Sequence, residues 1–561
     1  MDHHVSESGP TLTQDDTGAK SGSGFVLLVL ASAQFLMTLD SSVMNVSISQ
    51  VAADLGTTVT GIQTAITMYT LVMASLMLTG GKIGAIVGRK RAFAIGLVIY
   101  GLGSFTTAVS PNLNWLLFGW SFLEGVGAAL ILPAIVALVA SNFPRERRPA
   151  AYGAVAAAGA IAVAAGPLIG GAVTTYASWR WVFAGEDVMV ILILLSLRKV
   201  HDTAPEGRVQ FDYGGAVLSI VGLSLTVFGV LKSGEWGWVE PKPGGPVWWG
   251  ASPVLWLVFG GLFVVLLFLR YERRREAHGH EVLLKRSMLQ NKQLDGGLAM
   301  FFFQFFIQAG VFFTIPLFLS VVLELSAIQT GIHLLPLSVS LLIAAVAVPK
   351  LWPRARPRLI VRLGLASMLI GTLVLIGGLE VGADAGIVAV PLLFTGLGIG
   401  MLASQLGAVT VSAVDDSETA EVGGLQNTLT NLGASLGTAL VGAVLISGLT
   451  AGLINGVQTS SAIPDNVKLN ASTELAGGVP FVSDTALEDQ LNAANVPAEQ
   501  ADAIVDANRD ARIKGLRDAL WVVAFAELIA LFLDGFIPTK PVGVPPQEEA
   551  EDEAVEVSDP A

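Results

Sequence analysis

GFVLLVLASAQFLMTLDSSVMNVSI, residues 24–48, is a run long and apolar enough to cross a hydrocarbon core of about 30 Å as a helix. It nevertheless carries a carboxylate, Asp40. Comparable apolar runs recur near 60–80, 92–109, 113–134, 150–174, 181–198, 212–231, 251–269, 296–322, 328–349, 359–379, 385–409, 423–451 and 516–536. They make about fourteen spans in all. Hydrophobic residues are 53% of the chain and charged residues 14%, with a mean hydropathy of +0.66, which excludes a soluble enzyme. The alternating ten-residue segments of a membrane barrel do not occur. With no water in the bilayer to satisfy exposed backbone groups, an all-α polytopic bundle is what remains.

The formal net charge of −13 does not describe the membrane body. Its acidic excess lies in residues 1–23, 456–515 and 541–561, and the remainder is slightly basic, so no nucleic-acid partner is expected. The basic residues sort by side. Placing both ends inside puts Lys82, Arg89, Lys90, Arg91, Arg145, Arg147, Arg148, Arg198, Lys199, Arg208, the cluster Arg270 to Arg275, Lys285, Arg286, Lys292, Lys350, Arg354, Arg356, Arg358 and Arg362 in inner loops. Only Arg180, Lys232 and Lys242 fall in short outer loops. Basic side chains resist translocation, so a multi-pass protein of the cell membrane with both termini cytoplasmic is expected. The acidic inner loop 415–421, DDSETAE, runs against that trend. The N-terminus lacks the basic region of a signal peptide, and the first run reads as a retained span. The two tails have the composition of disordered segments. Within 456–515, residues 484–495 and the stretch from 498 onward have helical character, with Pro497 at a helix start, so a small external appendage should run into the last span.

No phosphate-binding loop is present: Gly80-Gly81-Lys82 is followed by Ile83, which offers no hydroxyl for a metal. There is no cysteine, and His3, His4, His201, His278, His280 and His333 form no ligand pair on a helix face, so neither metal nor cofactor is expected. The chemistry then rests on ionisable groups inside spans. Asp40 lies roughly 24 Å along the first helix, where a low dielectric disfavours its charged form. It reads either as a proton carrier or as a packing aspartate bonded to Ser41, Ser42 and Asn45. Glu124, near the midplane beside Gly125, Gly127 and Ala128, reads as a second proton site, a group contacting a cationic substrate, or a structural carboxyl. Glu186 and Asp187 follow Trp179-Arg180-Trp181, where an interfacial aromatic belt with Arg180 neutralising an acid accounts for most of the cluster. Asn45, Glu186, Asp187 and, one turn apart among phenylalanines, Gln304 and Gln308 are candidates to line a substrate cavity; for the two glutamines a packed aromatic helix is the plainer account. Gly159 and Gly166-Pro167-Leu168-Ile169-Gly170-Gly171 put small residues and a break in span five.

Taken together these residues resemble the major facilitator superfamily, in its fourteen-span drug:proton antiporter branch. Leu39 to Ile48 is similar to the branch's first-span motif, Gly159 with Gly166 to Gly171 to its antiporter motif, Ser178 to Phe183 (SWRWVF) to the segment after it, and Gly396 to Gly400 and Gly423 to Leu440 to later spans. The resemblance implies a major facilitator fold: two six-helix bundles, over 24–200 and 294–540, with two further spans inserted over 201–293, and tails at 1–23 and 541–561. It implies proton-coupled export of small amphipathic compounds by alternating access, with Asp40 carrying the proton and the bilayer, substrate and protons as partners; Glu124, read from the residues themselves, would assist Asp40 or contact a cationic substrate. The inner-loop motif is kept in Gly81, Gly88, Arg89, Lys90 and Arg91, but Ala85 and Ile86 stand at its aspartate and first arginine. Ser121 replaces the fourth-span arginine and Glu124 the glutamine. Export of a lipid or metabolite, or a sensor or scaffold acting through the appendage or acidic tail, are the alternatives these departures raise.

Overall fold

A computed structural model describes residues 16–144, 147–200, 211–352, 354–414, 419–465, 468, 475 and 479–540. The acidic C-terminal tail, residues 1–15 of the N-terminal tail and residues 415–418 of the acidic inner loop lie outside these, as does part of the 456–515 segment. The helices are α1 Asp16–Val46, α2 Ile48–Asp54, α3 Val59–Val87, α4 Arg89–Ala108, α5 Leu113–Asn142, α6 Arg148–Tyr176, α7 Arg180–Ser196, α8 Tyr213–Trp236 and α9 Pro253–Ala277. They continue as α10 Lys292–Val322, α11 Ala327–His333, α12 Leu335–Leu351, α13 Pro357–Gly378, α14 Ala389–Val411, α15 Thr419–Thr459, α16 Asp484–Ala493 and α17 Ala498–Leu533. Among the described residues no strand forms beyond one isolated bridge, Trp248 with Ala251.

Among the described residues twelve helices are long and apolar enough to cross a membrane, and α11 with α12, bent by 41°, makes a thirteenth if the pair is one span. The sixth expected span is α7, apolar but only 17 residues long. Helix ends follow local chemistry. Thr58, Asn112, Asp212, Asn291 and Ser483 accept the first free backbone N–H groups, and Ser326 with Gln329 closes a capping box before α11. Gly88, at φ 101°, makes the turn from α3 to α4 in a conformation open to glycine.

Two expectations change. Helix α1 begins at Asp16, inside the segment read as disordered, because extending an existing helix requires ordering only one residue per added bond. Pro167 does not break span five: α6 is continuous from Arg148 to Tyr176. Its small-residue face packs directly on neighbours, and that packing offsets the hydrogen bond which proline removes.

The first set of helices packs as α1 on α6 and α7, α3 on α5, and α4 on α5 and α7; the second joins α10, α15 and α17, with α12, α13 and α14 beside them. Helices α8 and α9 pack on each other, and α8 touches α3 and α15. The two sets meet along α3 with α15 and along α6 with α11. The linker after α9 touches both: Lys82 pairs with Glu281 at 3.1 Å and Lys285 with Glu421 at 3.0 Å. Its Leu283 and Leu284 N–H groups donate to the buried Glu272, and Leu284 joins an apolar cluster with Phe268, Leu294 and Val422.

The expected appendage is present. Helix α17 runs without interruption from outside the last span, Pro497 is its N-cap, and α16 lies against it. The latch is Arg512, fully buried, which pairs with Asp484 and donates to the carbonyls of Val482 at 3.0 Å and Val321 at 3.3 Å. Glu324 accepts from the N–H and hydroxyl of Thr485 at 3.0 and 2.6 Å. Asp484→Asn strands the buried guanidinium and should destabilise the appendage by roughly 3 kcal/mol. Asp518→Asn, which breaks the exposed Lys514–Asp518 pair, should change stability by less than about 1 kcal/mol. Thermal unfolding in detergent, with protease protection of residues 479–515, measures both.

Candidate functional site

Asp40 is carried by α1, Glu124 by α5 and Glu186 by α7, and all three are buried. One carboxylate oxygen of each lies within 4.8 Å of the other two. What brings Glu124 inward is a stretch of π-helix, Leu117–Glu124, inside α5. A widened turn of this kind re-aims side chains and recurs at functional sites. Gly103 permits the close approach: a Cβ there would come within 2.6 Å of Glu124 Cγ and 2.7 Å of the Gly119 carbonyl.

The donors around the cluster come from α4 and α5. Trp120 Nε1 donates to Asp40 Oδ1 at 2.8 Å, and its ring stacks on Tyr69 of α3 at 4.8 Å between centroids. Tyr100 OH and Ser104 Oγ each lie 3.1 Å from Glu186 Oε2, and Thr107 Oγ1 lies 3.3 Å from Glu124 Oε1. The second oxygens, Asp40 Oδ2, Glu124 Oε2 and Glu186 Oε1, have no partner among the described residues. Nor does any Lys, Arg or His there form an ion pair with the three. Two full charges at this spacing repel by about 3.5 kcal/mol even at an effective dielectric of about 20, and three pairs arise if all ionise. The repulsion falls when one or more of the carboxyls is neutral. The oxygens have the spacing of a metal-ligand set, but the indole N–H and the hydroxyls aimed at them are donors, which suit carboxylates sharing protons better than a bound cation.

The sequence singled out all three acids but grouped Glu186 with Arg180. Arg180 does not neutralise it: Arg180 pairs with Asp54 at 3.6 Å, lies 4.4 Å over the Trp179 ring and donates to the Ser110 carbonyl at 2.9 Å. Glu186 lies more than a turn deeper on α7, where the helix faces Tyr100 and Ser104. Asp187 is half-buried and directed toward Gly101, apart from the cluster. Asn45 donates to the Ser41 carbonyl at 2.7 Å. Gln304 is buried with its carbonyl oxygen unpartnered and Gln308 is half-buried, both on α10 in the second set. In the inner-loop motif, Arg89 donates to the Gly81 carbonyl at 3.4 Å and Lys90 to the Val200 carbonyl at 2.7 Å. Tyr69, Tyr100, Ser104, Thr107 and Trp120 went unread, although 100, 104 and 107 share one helical face and 120 precedes Glu124 by four.

The glycines of span five connect the cluster to the second set. Gly159 faces Gln34 and Thr38, Gly166 lies on Ser42, and Gly170 lies on Val43, so α6 tracks α1 on both sides of Asp40. Ser47 Oγ and Thr174 Oγ1 meet at 2.7 Å. On its other side α6 meets α11, with Gly171 against the Ala327 carbonyl, Gly331 against the Pro167 carbonyl, and Ile328 N donating to Thr175 Oγ1 at 3.0 Å. Helix α3 makes the second junction, with Gln63 donating to the Thr438 carbonyl at 3.1 Å and Ser435 to the Thr67 carbonyl at 3.0 Å.

Residues 30–438 match the sequence profile of the Major Facilitator Superfamily. The chain belongs to this family of membrane transporters. It is 29% identical to the probable actinorhodin transporter of Streptomyces coelicolor, covering 85% of this chain and 80% of that one. It is 30% identical to the puromycin resistance protein pur8 of Streptomyces alboniger, covering 78% and 84%. It is 26% identical to the multidrug resistance protein Stp of Mycobacterium tuberculosis, covering 91% of each. Among solved structures, a bacterial homologue of the human lysosomal transporter Spinster superposes with a TM-score of 0.56 at 14% identity, over 93% of this chain and all of that one. A peptide transporter of the POT type, solved with sulfate, superposes at 0.54 with 15% identity, over 85% and 95%. Both share the fold.

Trp120→Phe keeps the stack on Tyr69 and deletes the donor to Asp40. The loss should be about 1–3 kcal/mol and should shrink in an Asp40→Asn background, leaving a coupling energy above about 1 kcal/mol in a double-mutant cycle of thermal stability.

Proposed function

We propose that the chain is a proton-coupled secondary transporter that exports small amphipathic compounds, cationic ones among them, from the cytoplasm. The observation that carries this reading is the convergence of Asp40, Glu124 and Glu186 in a buried site to which no described basic side chain is paired, one helix away from both junctions between the two sets. The printed names of the relatives, resistance and export proteins for antibiotics and drugs, support the substrate class.

In the proposed cycle the sets, residues 24–200 and 294–540, rock about a central cavity while 201–293 supplies the inserted pair. Asp40 takes and releases the coupling proton, and Glu124 and Glu186 share it. A change of charge at Asp40 alters the seat of α1 on the glycine face of α6, and through Trp120 and Tyr69 the position of α3. Both movements reach the junctions with α11 and α15. Gln304, Gln308, Asn45 and Asp187 are proposed for the cavity wall, and both termini for the cytoplasmic side of the cell membrane.

In proteoliposomes with an imposed proton gradient, Asp40→Asn should lower gradient-driven movement of puromycin or ethidium at least tenfold while sparing downhill equilibration. Unchanged gradient-driven transport would remove Asp40 from the mechanism. Glu124→Gln and Glu186→Gln should each reduce coupling and add little to Asp40→Asn. The cysteine-free chain also allows a direct test of orientation. An impermeant maleimide applied to intact cells should label Val247→Cys and spare His280→Cys; the reverse pattern would invert the topology.

A further inference from the structure

The inserted helix α9 is the least covered of the twelve spans: 22% of its apolar window is buried by protein. On its uncovered side, Phe263, Leu266, Leu267 and Leu269 line a surface cavity of about 520 Å³ that ends at Arg270 and Arg273. Phe263 and Leu266 are 60% and 64% exposed, so these walls face hydrocarbon. The two guanidiniums are three residues apart and therefore neighbours on the helix surface. Among the described residues neither takes part in an ion pair or a hydrogen bond. Arg275, on the same turn, is used differently: it pairs with Asp212 at 3.3 Å and donates to the Glu281 carbonyl at 2.8 Å.

We propose that this groove is a binding site for an anionic phospholipid, with an acyl chain along Phe263, Leu266 and Leu267 and the phosphate held by Arg270 and Arg273. A guanidinium fork matches phosphate oxygens in a bidentate manner and is weakly hydrated enough to work at the edge of the hydrocarbon. Charge selects the head group. The ammonium of a zwitterionic lipid would meet Arg270 and Arg273, whereas a net negative head group gains roughly fivefold in affinity from each of the two basic side chains that line the groove. The site lies at the root of the 278–291 linker, which reaches α3 through Lys82–Glu281 and α15 through Lys285–Glu421. An occupant there steadies the end of α9 from which the linker departs.

The test is native mass spectrometry of the purified full chain titrated with phosphatidylglycerol, phosphatidylcholine or inorganic phosphate. Wild type should retain phosphatidylglycerol at least tenfold more strongly than phosphatidylcholine, and millimolar phosphate should not displace it. Arg270→Gln with Arg273→Gln should weaken retention at least tenfold, while Arg274→Gln, which removes an equal charge outside the groove, should leave it unchanged. Equal retention in the double variant, an equal loss in Arg274→Gln, equal binding of the two lipids, or displacement by phosphate would each overturn the site. Unchanged elution of the variants on size exclusion shows that any loss is one of binding and not of folding.

Discussion

Hydrocarbon offers no hydrogen-bond partner, and most of this structure follows from that fact. Every span satisfies its own backbone N–H groups, so a polar side chain placed inside has to find another polar side chain or a backbone carbonyl, or remain unsatisfied. Asp40, Glu124 and Glu186 come from three separate helices and end at one point, with donors supplied by Trp120, Tyr100, Ser104 and Thr107. Burial by protein has a similar effect at the appendage, outside the membrane, where Arg512 is enclosed against Asp484 and two carbonyls. A further example is Glu527, deep in α17, which accepts from Thr372 of α13 at 2.9 Å.

The position of the carboxylate cluster matters as much as its composition. It lies wholly within the first set of helices, yet two of the elements that build or support it, α1 and α3, are one contact away from the second set. Small residues make those contacts close: α6 meets α1 through Gly166 and Gly170 and meets α11 through Gly171 and Gly331. Backbone-to-backbone approach of this kind transmits small displacements, because close-packed contacts leave little slack for side chains to absorb. Near Ala85 and Ile86, which stand where the inner-loop motif carries two charges, Lys82 of α3 pairs with Glu281 on the linker, and Lys285 of the linker pairs with Glu421 on α15.

Most of the architecture was legible in the residues. Runs of apolar sequence long enough to span are a one-dimensional property, and every expected run coincides with a helix. The appendage was legible too, since the helical stretch from 484 and Pro497 at a helix start are features of local chemistry. The three acids were visible because an ionisable residue within an apolar run stands out wherever the helix is later placed.

What the residues did not disclose was direction. Arg180 precedes Glu186 by only six positions, and nearness in the chain suggested a pair; the helix turns Glu186 toward α4 and leaves Arg180 with Asp54. Pro167 suggested a break, and packing against α1 and α11 holds the helix intact. The π-turn that aims Trp120 and Glu124 inward has no marker in the sequence, because it depends on how closely α4 can approach at Gly103. By itself, then, the sequence determined which segments enter the membrane and which charges go with them, since transfer into hydrocarbon depends on composition. Only the tertiary structure decided which of those charges meet, since that depends on the rotation and crossing of helices far apart in the chain.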